Sequence, residues 1–297
     1  MDPSDTPTDL TATLADLNSA AERLWEACAP TWPGLVLDVK PELDSTNTAL
    51  MAQGRRGEVW PTALVAACQT AGRGRRGRSW EAQAGASLTF SLGVPLQLDA
   101  VPGGGSALSL AVGVAVADAL EAGLQARMAA ADLASQPPLP PAIGLKWPND
   151  LWLGERKLGG VLIEATPAPG LAEGQRWVVI GVGLNVQAGA AVAGSAWLPP
   201  PAPSVGEVWA WLVPALLAAA QRFEAQGFAP LQTAYARRDV LAGRAVQLWS
   251  QAGTLPQSGP ADASGTAQGI GEDGTLLVHT GSGLQRWHAG EVSVRPA

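Results

Sequence analysis

Thr62-Ala63-Leu64-Val65-Ala66-Ala67-Cys68-Gln69-Thr70-Ala71-Gly72-Arg73-Gly74-Arg75-Arg76-Gly77-Arg78 is the passage on which the fold reading turns. Its first half, Thr62–Gln69, reads as a short buried strand, because apolar residues run on without a helical period. Its second half carries glycines at the spacing of a dinucleotide-binding turn. Such a turn opens a helix whose amino end meets the pyrophosphate. Here Arg73, Arg75 and Arg76 fill the gaps, no helix-periodic run follows, and strand character resumes over 87–94. The passage therefore predicts strand, flexible loop with no regular element, then strand, and a Rossmann body is set aside. Arginines on a glycine hinge can close bidentate donors over a phosphate or carboxylate. A solvated basic loop fits this stretch equally well when it is read alone.

Outward from it, Leu10, Leu14, Leu17, Ala21, Leu24 and Cys28 recur at helical spacing and predict an amphipathic helix ending near Pro30. Residues 108–124 are apolar on nearly every side, as in a buried helix. The Pro-rich 132–141 reads as a surface insertion without catalytic importance. Four short strands follow at 144–147, 151–153, 158–164 and 177–186, then a second Ala/Pro-rich loop over 189–203. Helices are predicted over Val205–Gln226, with Pro214 as a kink or break, and over 230–241. From 243 onward, strands at 245–249, 265–270, 275–279 and 284–287 around the turn Glu272-Asp273-Gly274 predict a small antiparallel β-barrel. No internal repeat is visible.

Composition excludes several classes. With 47% apolar and 15% charged residues, the 297-residue chain has material for a real core and is not disordered. A net charge of -7 argues against nucleic-acid binding by the whole surface. The first 43 residues hold only Arg23 and Lys40 against Asp2, Asp5, Asp9, Asp16, Glu22, Glu26, Asp38 and Glu42, so no DNA-reading arm is expected there. Cys28 and Cys68 lack disulfide or metal-ligand spacing and read as reduced thiols of a cytoplasmic protein. The acidic amino terminus lacks the pattern of a secretory signal. The most apolar stretch is taken as 205–220, too short for a membrane span and interrupted by Glu207 and Pro214. The 12 Trp read mostly as packing residues.

Three further constellations carry chemistry. Lys146-Trp147-Pro148-Asn149-Asp150, followed by Arg156-Lys157-Leu158-Gly159-Gly160, would bring two lysines and one carboxylate together across a hairpin. That suits phosphate and an amine, although a surface turn with ion pairs is the blander account. Asp44-Ser45-Thr46-Asn47 offers short polar side chains that also suit a helix N-cap. Gly181-Val182-Gly183-Leu184-Asn185 ends an apolar strand with glycines that admit a ligand closely, or that merely mark a bulge.

In this order the motifs resemble the biotin protein ligase family, closely over 43–185, and the tail Gly290-Glu291-Val292-Ser293-Val294-Arg295 resembles its small SH3-like barrel. The resemblance implies an α+β fold like class II aminoacyl-tRNA synthetases and lipoate ligases. A mixed sheet flanked by helices would occupy 1–242, with an amino-terminal helix in 1–30, and the barrel 243–297. It implies activation of biotin by ATP as biotinyl-5'-AMP, with pyrophosphate released, and transfer to a lysine of the biotin carboxyl carrier protein of acetyl-CoA carboxylase or a related carboxylase. By the same resemblance Ser45, Thr46, Asn47 and Gln69 meet the ureido ring. Gly160, Gly181 and Gly183 shape the pocket, and Arg73, Gly74 and Arg75 order over it. Gly72, Arg75, Arg76, Arg78, Lys146, Asn149, Asn185 and Arg295 serve the nucleotide, and Trp80 stacks near the adenine. Lys157, Arg73 and Lys146 would be catalytic cations, and Asp150 would receive the acceptor lysine.

ATP and Mg2+ are the implied cofactors, the metal arriving on ATP rather than on a protein site. A homodimer is possible within the family, and neither DNA nor membrane is an expected partner. Longer members carry an amino-terminal winged helix-turn-helix, whereas only an acidic helix precedes Asp44 here, so repressor activity is not expected. The 189–203 loop has no match to the family's adenine-covering segment. A lipoate or octanoate ligase shares the fold, but its flexible acyl chain gives Ser45, Thr46 and Gln69 less to do. A non-catalytic binding module would have no need of Lys157 and Asp150.

Overall fold

The computed structural model describes residues 10–99, 101–130, 142–189, 194–249, 261–289 and 293–296. The insertion at 132–141 lies outside them, as does 190–193 of the second loop. In chain order the elements are α1 (Leu10–Cys28), β1 (Val36–Leu43), α2 (Thr46–Arg55), β2 (Thr62–Gln69), β3 (Ser87–Gln97) and α3 (Gly104–Ala130). There follow β4 (Ile143–Lys146), β5 (Asp150–Leu153), β6 (Arg156–Thr166), β7 (Gln175–Asn185), α4 (Val205–Gln226) and α5 (Gln232–Ala236). The carboxyl-terminal strands are β8 (Ala245–Trp249), β9 (Ala263–Ile270), β10 (Leu276–Thr280), β11 (Gly283–Trp287) and β12 (Ser293–Pro296).

A seven-stranded sheet in the order β1-β2-β3-β7-β6-β5-β4 forms the body. Only the β1–β2 pair is parallel, so the sheet is mixed and the doubly wound alternative is excluded. β1 was not foreseen from the sequence. It is an edge strand, which accounts for Pro41 inside it, since an edge tolerates a missing N–H.

α3 is the core helix. By length and apolarity it is α3, not 205–220, that could cross a membrane, and 72% of its apolar window is buried inside the protein. The expectation that 205–220 is the most apolar stretch is corrected: 108–117 runs ten residues without a charge, whereas 205–220 holds Glu207 and Pro214. α4 begins at a capping box, with Glu207 N donating to Ser204 Oγ at 3.1 Å and Ser204 N to Glu207 Oε2 at 2.8 Å. Asp16 of α1 accepts from Gly206 N at 2.7 Å and Ser204 Oγ at 2.8 Å, so the acidic first helix is fastened to the body.

Two helix expectations are corrected. Pro214 neither breaks nor ends α4, which runs on to Gln226 with Leu212, Val213, Leu216 and Leu217 all buried around it. Packing of that apolar face outweighs the single lost backbone bond. The helix expected over 230–241 shrinks to a 3-10 turn at Ala229–Leu231 and the five residues of α5. Beyond it the chain straightens to bond the open edge of β4, with Leu145 N donating to Arg238 O at 2.7 Å and Val240 N to Leu145 O at 3.1 Å. An unpaired sheet edge competes successfully for those backbone groups.

The last strands form a five-stranded antiparallel sheet in the order β11-β10-β9-β8-β12, consistent with a small SH3-like domain. It is pinned to the body where the Trp147 indole N–H donates to Gly274 O at 3.0 Å and Gln232 Nε2 to Ile270 O at 2.8 Å. Trp147 is 1% exposed, so the docking bond lies in a dry interface directly beside the Lys146–Asp150 turn.

Candidate active site

A single open cleft collects three distant parts of the chain. At its polar end lies the amino terminus of α2, where Ser45 is the N-cap and accepts from Thr48 N at 3.4 Å while also lining the cleft. Capping therefore does not remove Ser45 from the cleft wall. Thr46 N and Oγ1 donate to Gln69 Oε1 at 2.7 and 3.1 Å, tying α2 to the end of β2. Ser91 Oγ donates to Asn47 Oδ1 at 2.6 Å and lies 2.7 Å from Thr46 Oγ1. Gly181 and Gly183 leave room for this arrangement. A Cβ at Gly181 would sit 2.1 Å from Asn47 Oδ1, and one at Gly183 would sit 2.5 Å from Trp80 Cε2. Gly181→Ala is expected to lower stability by about 1–3 kcal/mol through overpacking. Denaturant unfolding checks this, and an unchanged midpoint would mean that Asn47 moves aside freely.

The arginine loop forms the roof. Contrary to the expectation of no regular element, Arg75–Gly77 is a 3-10 turn inside a hairpin-like closure. Gly74 N donates to Arg78 O at 2.7 Å and Trp80 N to Gly72 O at 2.9 Å. Arg76 at φ 59° and Gly77 at φ 72° make the reversal, so glycine freedom is used for a tight turn as well as for a hinge. Arg73 pairs with Glu164 at 3.1 Å. Arg75 reaches Asn149 Oδ1 at 3.0 Å and also the Ala289 carbonyl, which links the roof to the turn just after β11. Burial lowers the Arg75 pKa from the usual arginine value, with Asp150 opposing the shift.

The hairpin supplies the third wall. Lys146 faces Asp150 across β4 and β5, and a register irregularity between Leu151 and Trp152 brings Trp152 opposite Lys157. Lys157 Nζ donates to Asp150 Oδ1 at 2.7 Å and lies 5.8 Å from the Trp80 ring centre. Lys146 Nζ lies 5.2 Å from the Trp152 ring centre. Burial lowers the Lys146 pKa below the ordinary lysine value. The Asp150 charge opposes that shift, and Lys157, Arg295 and Arg78 reinforce it.

The lining thus contains Arg73, Arg75, Arg76, Arg78, Lys146, Lys157 and Arg295 against one acid, Asp150, in a chain of net charge -7. Such a local reversal of sign favours an anion in the cleft. Ser45, Thr46, Asn47, Gln69, Gly74, Trp80, Asn149, Gly160, Gly181 and Gly183 line the same cleft. Gly72 and Asn185 do not. Gly72 packs on the Trp80 backbone, and Asn185 is buried at the end of β7 opposite Ser87.

Residues 40–185 match the biotin/lipoate A/B protein ligase family, and residues 257–295 match the biotin protein ligase C terminal domain. The bifunctional ligase/repressor BirA of Escherichia coli K12 is 33% identical over 267 residues, covering 87% of this chain and 74% of its own length. The chain belongs to the biotin protein ligase family. A biotin–[acetyl-CoA-carboxylase] ligase of Paracoccus denitrificans is 32% identical, with 84% of this chain and 96% of that protein covered. Among solved structures, the biotin protein ligase from Aquifex aeolicus in complex with biotin and ATP superposes with a TM-score of 0.64 at 26% identity, over 88% of this chain and 99% of that one.

Against that family background, Ser91 and Glu164 were missed from the sequence. Ser91 had a signal, since Ser87, Thr89 and Ser91 place hydroxyls on one face of a buried strand, and a buried hydroxyl needs a partner. A resident divalent cation does not fit this cleft. Among the described residues no three His, Cys, Asp or Glu groups cluster, and the two nearby carboxylates are engaged by Lys157 and by Arg73.

Proposed function

We propose that the protein joins biotin to ATP as biotinyl-5'-AMP, releasing pyrophosphate, and then passes the biotinyl group to a lysine of a carboxylase carrier domain. The observation that carries this reading is the junction of two surfaces in one cleft. The small polar pocket of Ser45, Thr46, Asn47 and Gln69 opens directly onto the Lys146, Asp150 and Lys157 hairpin beneath the arginine roof. A bicyclic urea needs the first surface, and a carboxylate meeting a phosphate needs the second. A flexible acyl chain would give those polar groups less to do.

In the first step a carboxylate oxygen of biotin attacks the α-phosphorus, and the bond to pyrophosphate breaks. Two anions must approach, so Lys157, Arg73 and Lys146 lower the barrier by fixed positive charge. Arg78 and Arg295, which line the same cleft, would hold the departing phosphates. Trp80, whose ring faces Lys157, would pack against the nucleotide. In the second step the acceptor amine attacks the carbonyl carbon, the bond to the phosphate oxygen breaks, and AMP leaves. A free lysine is protonated near neutrality, with a pKa of about 10.4. Asp150 orients it and accepts its proton, the carboxylate being released from Lys157 as that side chain turns to phosphate.

The adenylate also hydrolyses in water, which gives a closing roof its purpose. We place the activity in the cytoplasm, where the free Cys28 and Cys68 stay reduced. The test is purified protein with ATP, magnesium, biotin and a biotin carboxyl carrier domain, scored for protein-bound biotin, with lipoate in competition. Labelling of one carrier lysine is the expected outcome. Preference for lipoate would replace the reading by its nearest alternative.

A further inference from the structure

We propose that Glu164 is a positioning residue that ties the arginine roof to the ring pocket, so that the two are set as one unit before any ligand arrives. The ligand named in the test rests on the biotin reading, whereas the tie itself does not.

Glu164 sits on β6, outside every motif that marked this chain, and its carboxylate serves two masters. Oε2 accepts from Asn47 Nδ2 at 3.0 Å and from Arg73 Nη1 at 3.2 Å. Oε1 lies 3.1 Å from Arg73 Nη2, which completes a two-pronged pair. The Glu164 side chain is 22% exposed and Asn47 3% exposed, so one end of this contact is dry and the other half wet. From Asn47 the chain of polar contacts continues through Ser91 and Thr46 to Gln69. A guanidinium on the roof is thereby connected to the far wall of the pocket.

An ionised glutamate only accepts hydrogen bonds. It therefore dictates which way the Asn47 amide points, with Nδ2 toward Glu164 and Oδ1 toward Ser91. That orientation decides whether the pocket shows a donor or an acceptor at this spot. The same charge draws Arg73 down while the cleft is empty, so ordering of the roof is partly complete beforehand and costs less on binding. Glu164→Gln keeps the size but offers one acceptor and one NH2 group. It cannot accept from Asn47 and from both prongs of Arg73.

Two readouts on the full chain test this. In the ligand-free protein, trypsin cleavage after the roof arginines should run about fivefold faster in E164Q, the range of a half-exposed ion pair. In biotin-dependent adenylate formation, KM for biotin should rise about tenfold, the effect of one lost charge-assisted bond, while kcat holds. Should E164Q fold poorly by thermal melting, Glu164→Asp keeps the charge with a shorter reach, and both readouts should move in the same direction by less. Cleavage at the unaltered rate overturns the proposal whatever KM does. Faster cleavage with an unchanged KM also overturns it, since the pair would then hold only the roof. If the unaltered protein does not turn biotin over, the functional reading fails, and the cleavage arm still decides the tie.

Discussion

Replacing Lys157 by alanine is expected to slow biotinyl-5'-AMP formation by about 100- to 1,000-fold, the range for removing one fixed donor from a developing charge. Lys157 stands where the ring pocket meets the cationic wall, with its ammonium 2.7 Å from Asp150 and facing Trp80. Its neighbours act on the same charge from their own positions and are held there by other contacts, so none moves into its place. Lys146 is held against Trp152, Arg75 is committed to Asn149 and Ala289, and Arg73 is committed to Glu164. The fold should survive, because the lost pair is partly exposed and worth at most about 1 kcal/mol. Pyrophosphate release with biotin and ATP, with no carrier present, isolates this step. Wild-type release by Lys157→Ala would remove the residue from the chemistry.

Asp150→Asn should separate the two half-reactions. Transfer from preformed biotinyl-5'-AMP to the carrier lysine is expected to fall by about 100- to 10,000-fold, the usual weight of a positioned proton acceptor. Adenylate formation should fall much less, since no proton leaves an attacking carboxylate. A second consequence concerns pH. The Asp150 charge opposes the burial that lowers the Lys146 pKa. With that charge gone Lys146 loses its proton at a lower pH, so the variant's adenylation should decline earlier on the alkaline side than that of the unaltered protein. Single-turnover transfer and a pH series of pyrophosphate release measure the two effects. Equal losses in both half-reactions would refute the role given to Asp150.

How much of this was legible beforehand varies with the range of the interaction. The strands at Thr62–Gln69 and around 144–186, the buried helix and the carboxyl-terminal strands follow from apolar periodicity and turn residues, and the structure has them. The roof and the hairpin stood out because glycine, arginine and lysine at that density have few purely structural uses. α5 was overextended because its helical pattern is local, whereas the open edge of β4 that captures 238–240 is not. Asn185 was drawn toward the site by its place after two pocket glycines and shares their face of β7, yet it sits at the strand's very end, opposite Ser87 and outside the cleft lining.

By itself, then, the sequence determined the family, the main elements and the chemical types gathered for the reaction, because each is carried by residues close along the chain. Only the tertiary structure decided which of them meet. Asn47 and Glu164 are 117 residues apart, Arg73 and Glu164 are 91 apart, and Asn47 and Ser91 are 44 apart. Their contact depends on β3, β7 and β6 lying side by side in the sheet. That order is set by the packing of whole faces around a common core, which no local pattern of residues records.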